Sequence, residues 1–459
     1  MDGTEMQNSE NAASTAFLET LCAEYQKHNQ IDPAYYERYQ VKRGLRNADG
    51  TGVMAGVTQI GNVMGYYLQD GERFPAPGKL VYRGIDVEEL VDGFVSEDRF
   101  GFEETAYLLL FGALPTRAQL TAFQQMLSDN HTLPHMFTED MILKAPSPDV
   151  MNKLARSVLA LYSYDEDPDN MSLSNQLRQA IQLIARVPVI VAHAFAVKRH
   201  YYDDESLYLH RPQPELSVAE NFLYSVRHDN QFTRQEAKLL DLCLVLHAEH
   251  GGGNNSAFTC RVLSSSGTDI YSAIAAAVGS LKGPRHGGAN KKVMEMFGYI
   301  EEAVRDWKDD DEVRAFLGKL LRKEAGDKSG LIYGMGHAIY TLSDPRAVVL
   351  KKFARELAQT KGMLDEFDLY ETVERLSPEV LLSVKGEKKV VCANVDLFSG
   401  MVYKMMGIPQ ELYTPLFAVA RMAGWCAHRI EEVYQPGNRI IRPAYKAVAP
   451  MRPFVPLDL

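Results

Sequence analysis

The chain has 459 residues, too many for one compact core, so two domains are expected. Hydrophobic residues make up 46% and charged residues 24%, an ordinary balance for a globular protein, and the net charge of -11 excludes a global basic field that would gather nucleic acid. The five cysteines, Cys22, Cys243, Cys260, Cys392 and Cys426, are scattered without a CxxC pair. That argues against a disulfide framework or a zinc ribbon and for a reducing, cytoplasmic setting.

The opening stretch, MDGTEMQNSENAAS, has neither the basic start and apolar run of a secretory signal nor the Arg of a mitochondrial presequence. Ser14 to Tyr25 is patterned as an amphipathic helix. Gly56 to Gly78 alternates β-prone runs with Gly and Pro, as small strands or loops do. Phe102 to Gly112 is a helix ended by its glycine. Long apolar helices follow at Asn175 to Arg199, Arg234 to Glu249 and Asp269 to Lys282. Within the first, Ile181 to Val197 is the most apolar stretch, but Arg186, Pro188 and His193 favour a buried, proline-kinked helix over a membrane span. The segment from about 287 to 385 is more charged than its flanks and suits a smaller inserted domain. Asp344 and Pro345 supply an N-cap and first-turn signal for Val348 to Leu357, and Thr414 with Pro415 does the same for Leu416 to Tyr434. With no GxGxxG, no strand–helix alternation and no internal repeat, the fold class is mostly α.

Four polar clusters interrupt this apolar helical sequence. In HAEHGGGNNS, His247 and His250 lie three apart at a helix end that Gly251 would stop; they are either helix-terminal histidines or half of a metal site, although the HExxH order is absent. In LKGPRHGGAN, His286 falls between two helices, the second running from Ala289 to Ile300. Near a helix N-terminus the neutral imidazole is favoured, and a neutral His can donate to an oxygen that gains charge; a plain turn histidine is the alternative. In LIYGMGHAIYTLSDPR, Gly334 and Gly336 allow close backbone approach to a ligand, and His337 follows directly. Arg346 sits in a helix's first turn, against the dipole, so it either binds a carboxylate or points away at the surface. In KKVVCANVDLFSGMVYKMMG, Asp396 reads by itself as an ordinary N-cap. Arg421 lies in LFAVARMAGWCAH, a helix apolar on nearly every face. A buried guanidinium there needs an anion, either an internal acid or a ligand.

Taken in order, HAEHGGGNNSAF, GSLKGPRHGGAN, GMGHAIYTLSDPR, NVDLFSG, LFAVARMAGW and RIIRP, with RGLRNADGTGV, KLVYRGIDVEEL and AYLLLFGALP upstream, resemble the citrate synthase family over nearly all the chain beyond about residue 40. The resemblance implies an all-α, two-domain homodimer. A large helical domain, 1–286 plus 395–459, would bind oxaloacetate and form the dimer interface; a small helical domain, 287–394, would bind CoA. It implies an acyltransferase of the tricarboxylic acid cycle that condenses acetyl-CoA with oxaloacetate, without cofactor or metal and without nucleic-acid or membrane partners. The alternative is a 2-methylcitrate synthase using propionyl-CoA. By the same resemblance Asp396 is the base, His286 the donor to the enol oxygen and His337 the donor to the oxaloacetate carbonyl. His250, Arg346, Arg421 and Arg442 hold carboxylates, Arg442 in the partner subunit's site. Arg46, Gly334, Met335, Gly336 and Lys389 contact CoA. Thr341 stands where many relatives carry a cation, which puts one CoA phosphate contact in doubt.

Overall fold

The structure is a computed structural model that describes residues 3–70, 72–386 and 390–457. It is mainly helical, as expected. The strands among the described residues form one small antiparallel sheet of Gly61–Gln69, Glu72–Tyr82 and Ile85–Asp86. Two compact units are present: a terminal unit of Met1–Gly56 with Arg442–Leu459, and a main unit, Val57–Ile441, in which the whole 287–394 segment lies.

Most helix signals are realised as read. Phe102–Phe111 ends at left-handed Gly112. Asp269 caps Ile270–Lys282, and Asp344 accepts from the Arg346 N–H at the start of Pro345–Thr360. Arg234–His247 opens with a capping box of Thr233 and Glu236. The first helix, Gly3–His28, is longer at both ends than the expected segment. Two boundaries differ from expectation. Arg234–His247 ends four positions before Gly251, which has a left-handed φ of 79°, so Ala248 to His250 lie outside the helix. The last long helix starts at Tyr413 with no side-chain cap. Thr414 is already inside that helix, and its hydroxyl donates to Gly287 O instead.

That last helix, Tyr413–Tyr434, is the centre of the main unit. It packs against Leu173–Tyr202, Arg234–His247, Asn255–Ser264 and Ile270–Lys282. Its apolar surround buries Trp425, Arg421, His428 and Arg429 almost completely. Leu173–Tyr202, with Pro188 inside it, is long and apolar enough to cross a bilayer by composition, yet 78% of its apolar window is covered by protein. It is a core helix of this unit.

The Gly61–Gln69/Glu72–Tyr82 hairpin is short, but it braces the segment that follows the helix Asp310–Leu321. Gly78 N–H donates to Ser343 Oγ at 3.1 Å, and the Thr341 hydroxyl donates to Gly65 O and Ala76 O. At its other end the Tyr82 hydroxyl donates to Val245 O at 3.0 Å and lies 3.1 Å from Glu249 O. The hairpin therefore ties the turn bearing His250 to the loop bearing His337.

Candidate active site

The turn after Arg234–His247 carries three ionisable groups with different environments. His247 donates through Nδ1 to Cys243 O at 2.7 Å, and burial holds it down to about 3, so it stays neutral. Glu249 is fully buried, with Oε1 2.9 Å from His428 Nε2. His250 faces the His337 ring at 5.1 Å and the Tyr340 ring at 5.6 Å, both edge-on. Burial, then the charges of Arg346 and neighbouring His337, push His250 well below the ordinary histidine range. Its Nε2 is buried without a partner. His247 Nδ1 and Glu249 Oε1 are thus each engaged with another protein group. Among the described residues no His, Cys, Asp and Glu cluster of metal-site size occurs.

His286 follows Ile270–Lys282 in a tight turn, with its N–H on Gly283 O at 2.9 Å, two residues before Gly288 starts the next helix. Its Nε2 lies 2.9 Å from Ser256 Oγ and 3.3 Å from the Ser256 backbone N. A backbone N–H can only donate, so Nε2 is the bare nitrogen and Nδ1 carries the proton. Trp425 Nε1 donates to the same serine oxygen at 3.2 Å and holds it in place. Burial, then the Arg421 charge, push His286 down to about 4. It is a neutral donor through Nδ1 at any pH near 7.

His337 has the opposite tautomer. Its Nδ1 lies 3.1 Å from the backbone N of both Ile339 and Tyr340, so Nδ1 accepts and Nε2 bears the proton. The Tyr340 ring stacks on it at 4.6 Å. The preceding Gly334–Met335–Gly336 backbone is zipped to the segment before Asp396. Met335 bridges Ala393, Gly336 N–H donates to Cys392 O at 2.7 Å, and Asn394 N–H donates to Gly334 O at 2.9 Å. Gly334 has φ of 82°, and a Cβ there would lie 2.8 to 3.0 Å from Leu397. Leu397 directly follows Asp396, so Gly334→Ala would shift the first turn bearing that carboxylate. A displacement near 1 Å lowers rates about 10²-fold; kcat of Gly334→Ala, compared with wild type at saturating substrates, checks this.

Asp396 is not the N-cap of Val395–Met405, contrary to its isolated reading. Asn394 caps that helix, accepting from Asp396 N–H at 3.0 Å. The Asp396 carboxyl is therefore not spent on the helix end. Burial pushes it up to about 6, against the opposing Arg346 charge and with help from Asp344. That is a suitable value for a base working near neutral pH.

The two arginines are prepared differently. Arg346 is buried, not turned to the surface. Asp344 holds it with two hydrogen bonds, to Nε at 3.0 Å and to Nη2 at 2.7 Å, leaving Nη1 outside the pair. Arg421 donates through Nε to His247 O at 2.6 Å, while Nη2 is buried without a partner. Tyr340 OH is likewise buried and unpartnered. Leaving such groups unmatched costs about 1–3 kcal/mol each, more for a charged one. Arg421 Nη2, Tyr340 OH and His250 Nε2 are thus three buried polar atoms left without a partner.

The family model described as citrate synthase, C-terminal domain, matches residues 47–444. The chain belongs to the citrate synthase family. It is 36% identical over 372 residues to citrate synthase of Deinococcus radiodurans, spanning 80% of this chain and 88% of that one. It is 34% identical over 376 residues to 2-methylcitrate synthase of Shewanella oneidensis, spanning 81% and 90%. Its fold is similar to that in a ternary complex of citrate synthase from Thermoplasma acidophilum with carboxymethyl coenzyme A and oxaloacetate, with a TM-score of 0.73 and 26% identity over 91% of this chain and 99% of that one. The family is one of acyltransferases, so the chain is an enzyme of that class.

Of the residues that the citrate synthase resemblance singles out, His250, His286, His337, Arg346, Asp396 and Arg421 all belong to the main unit and form one electrostatic neighbourhood. Gly334, Met335 and Gly336 form the loop beside them. Arg46 belongs to the terminal unit, where it donates to Gly50 O at 3.3 Å, and so does Arg442. Lys389 lies outside the described residues. Sequence reasoning missed Ser256, Tyr340, Asn394, Asp344 and Glu249 as parts of the site. All five stand inside or beside the quoted motifs, so polar residues flanking each histidine and aspartate were the available signal.

Proposed function

We propose that this member of the citrate synthase family condenses acetyl-CoA with oxaloacetate and water to give citrate and CoA. The observation that carries the reading is Asp396: an uncommitted first-turn carboxyl held near 6, in the same neighbourhood as two neutral histidines of opposite tautomer. Asp396 takes a proton from the acyl carbon next to the thioester. His286 Nδ1–H stabilises the oxygen of the enol so formed. The nucleophilic carbon attacks the oxaloacetate ketone, and His337 Nε2–H supplies the proton to its oxygen. Water then hydrolyses the citryl thioester, releasing citrate and CoA.

Arg421, Arg346 and His250 hold the carboxylates of oxaloacetate, with Arg442 contributed from the partner subunit of a homodimer. The Gly334–Gly336 backbone, Arg46 and Lys389 contact CoA. The segment 287–394 is the smaller domain, and its closure over the substrates shields the enol from water. The enzyme works in the cytoplasm without cofactor or metal. Thr341 supports a changed CoA contact: its hydroxyl braces the hairpin, where a cation would reach outward.

Similarity to a 2-methylcitrate synthase keeps propionyl-CoA as the second reading. One methylene is worth only about 1–3 kcal/mol in a pocket. Steady-state kinetics with both donors at saturating oxaloacetate are expected to give the higher kcat/KM for acetyl-CoA. A higher value for propionyl-CoA would replace citrate by 2-methylcitrate as the product.

A further inference from the structure

Arg421 and Arg346 are both buried and cationic, yet only Arg346 has a directly bonded carboxylate. The acid nearest in charge to Arg421 is Glu249, and its Oε2 is also buried without a partner. We propose that Glu249 is a tethered counter-ion that balances Arg421 in the unliganded enzyme and competes electrostatically with the substrate carboxylate for it. The proposal rests on reading Arg421 as a carboxylate-binding residue.

The tether is built from three sides. Gly424, one helical turn beyond Arg421, leaves a slot in which a Cβ would lie 2.6 Å from Glu249 Oε2. Gly61 closes the other side, where a Cβ would lie 2.8 Å from Glu249 Cγ. His428 Nε2 holds Oε1 at 2.9 Å. That bond has a fixed direction, because Arg261 donates to His428 Nδ1 from Nε at 3.1 Å and Nη2 at 2.6 Å, which leaves the proton on Nε2. Arg261 is itself anchored by Glu432 at 2.8 Å, by Glu431 and by the Thr58 hydroxyl at 3.1 Å. Glu249 is thereby kept from swinging onto Arg421 Nη2. Its charge still reaches Arg421: His428 and Arg421 hold Glu249 below the ordinary carboxylate range despite burial, and Glu249 is the strongest influence opposing the burial that brings Arg421 down to about 10.

The consequence is a linkage between stability and affinity. Without ligand, Glu249 balances the buried guanidinium. When a substrate carboxylate binds Arg421, two negative groups share one cation, and Glu249 weakens the binding that it prepared. Removing its charge therefore destabilises the unliganded enzyme more than the complex, and oxaloacetate binds more tightly.

The test compares wild type, Glu249→Gln, Arg421→Lys and the double variant by calorimetric titration with oxaloacetate and by thermal melting with and without it. Glu249→Gln is expected to lower the Kd about three- to tenfold, to melt lower when unliganded and to show a larger oxaloacetate-induced rise in Tm. Arg421→Lys is expected to weaken binding and to abolish the Glu249→Gln gain. If Glu249→Gln is soluble only when oxaloacetate is present in the medium, the counter-ion role stands. If it is insoluble in both conditions, or its Kd is unchanged or raised while Arg421→Lys weakens binding, Glu249 is a structural residue and the proposal fails. An unchanged Kd in Arg421→Lys would instead overturn the reading of the site itself.

Discussion

Asp396→Asn is expected to lower kcat by about 10²- to 10⁴-fold and, at the same time, to raise the melting temperature of the unliganded enzyme. The first effect follows from loss of the only carboxyl proposed to take the carbon-bound proton. The second follows from its burial. Asp396 has an ordinary value of 3.8 and is raised to about 6 in the folded protein. Below about 3.8 both folded and unfolded chains keep the proton, and the native state bears no ionisation cost. As pH rises through 6 the native state must ionise a buried group that the unfolded chain has already ionised in water. A shift of about two units is worth about 3 kcal/mol at 1.36 kcal/mol per unit, and this stability is lost by pH 8. Asparagine has no charge to bury, so the variant melts a few degrees higher at pH 8 and close to wild type at pH 4. The same titration gives wild-type kcat/KM an acid limb near pH 6, where activity falls as the base takes up a proton. Thermal melting at the two pH values and a pH–rate profile check both halves. An inactive variant that also melts lower at pH 8 would point to misfolding rather than loss of the base.

His286→Ala is expected to reduce kcat by about 10²- to 10³-fold with little change in oxaloacetate affinity. The donor is Nδ1–H, because Ser256 N–H occupies Nε2, and it acts on an oxygen that gains charge only as the acyl carbon loses its proton. Such a bond strengthens in the transition state and contributes little to ground-state binding. Because His286 is held down to about 4, it adds no limb to the pH profile between 5 and 9. Steady-state kinetics should therefore show the loss in kcat, and calorimetry should show an oxaloacetate Kd within a fewfold of wild type. A rise in that Kd matching the loss in kcat would assign His286 to substrate binding.

The helices were legible because their signals are local, whereas the roles proposed for His286, His337 and Asp396 came from the ordered motifs together and not from any one of them. Asp344 with Pro345 and the run ending at Gly112 announce their helix ends within a few residues. Arg421 could be read as buried and needing an anion from its apolar helix alone, and it is buried with Nη2 unmatched. What was not legible depends on distant partners. The tautomer of His286 is set by Ser256, thirty positions away. Glu249 meets His428 across 179 positions. Asp396 passed for an N-cap because two polar residues, two positions apart, compete for that place, and only the backbone geometry gives it to Asn394. Thr414 misled in the same way, since its hydroxyl is drawn to Gly287 O by tertiary packing. The strands of the hairpin have weak periodicity, and their role in bracing Thr341 and Ser343 has no local signature.

The most direct measurement is the product balance with purified enzyme, acetyl-CoA and oxaloacetate, following free CoA by thiol assay and citrate by NMR. Equal amounts of citrate and CoA, formed only when both substrates are present and suppressed in Asp396→Asn, are the predicted result. CoA release at the same rate without oxaloacetate, or without citrate, would contradict it and make the protein a thioesterase on this scaffold.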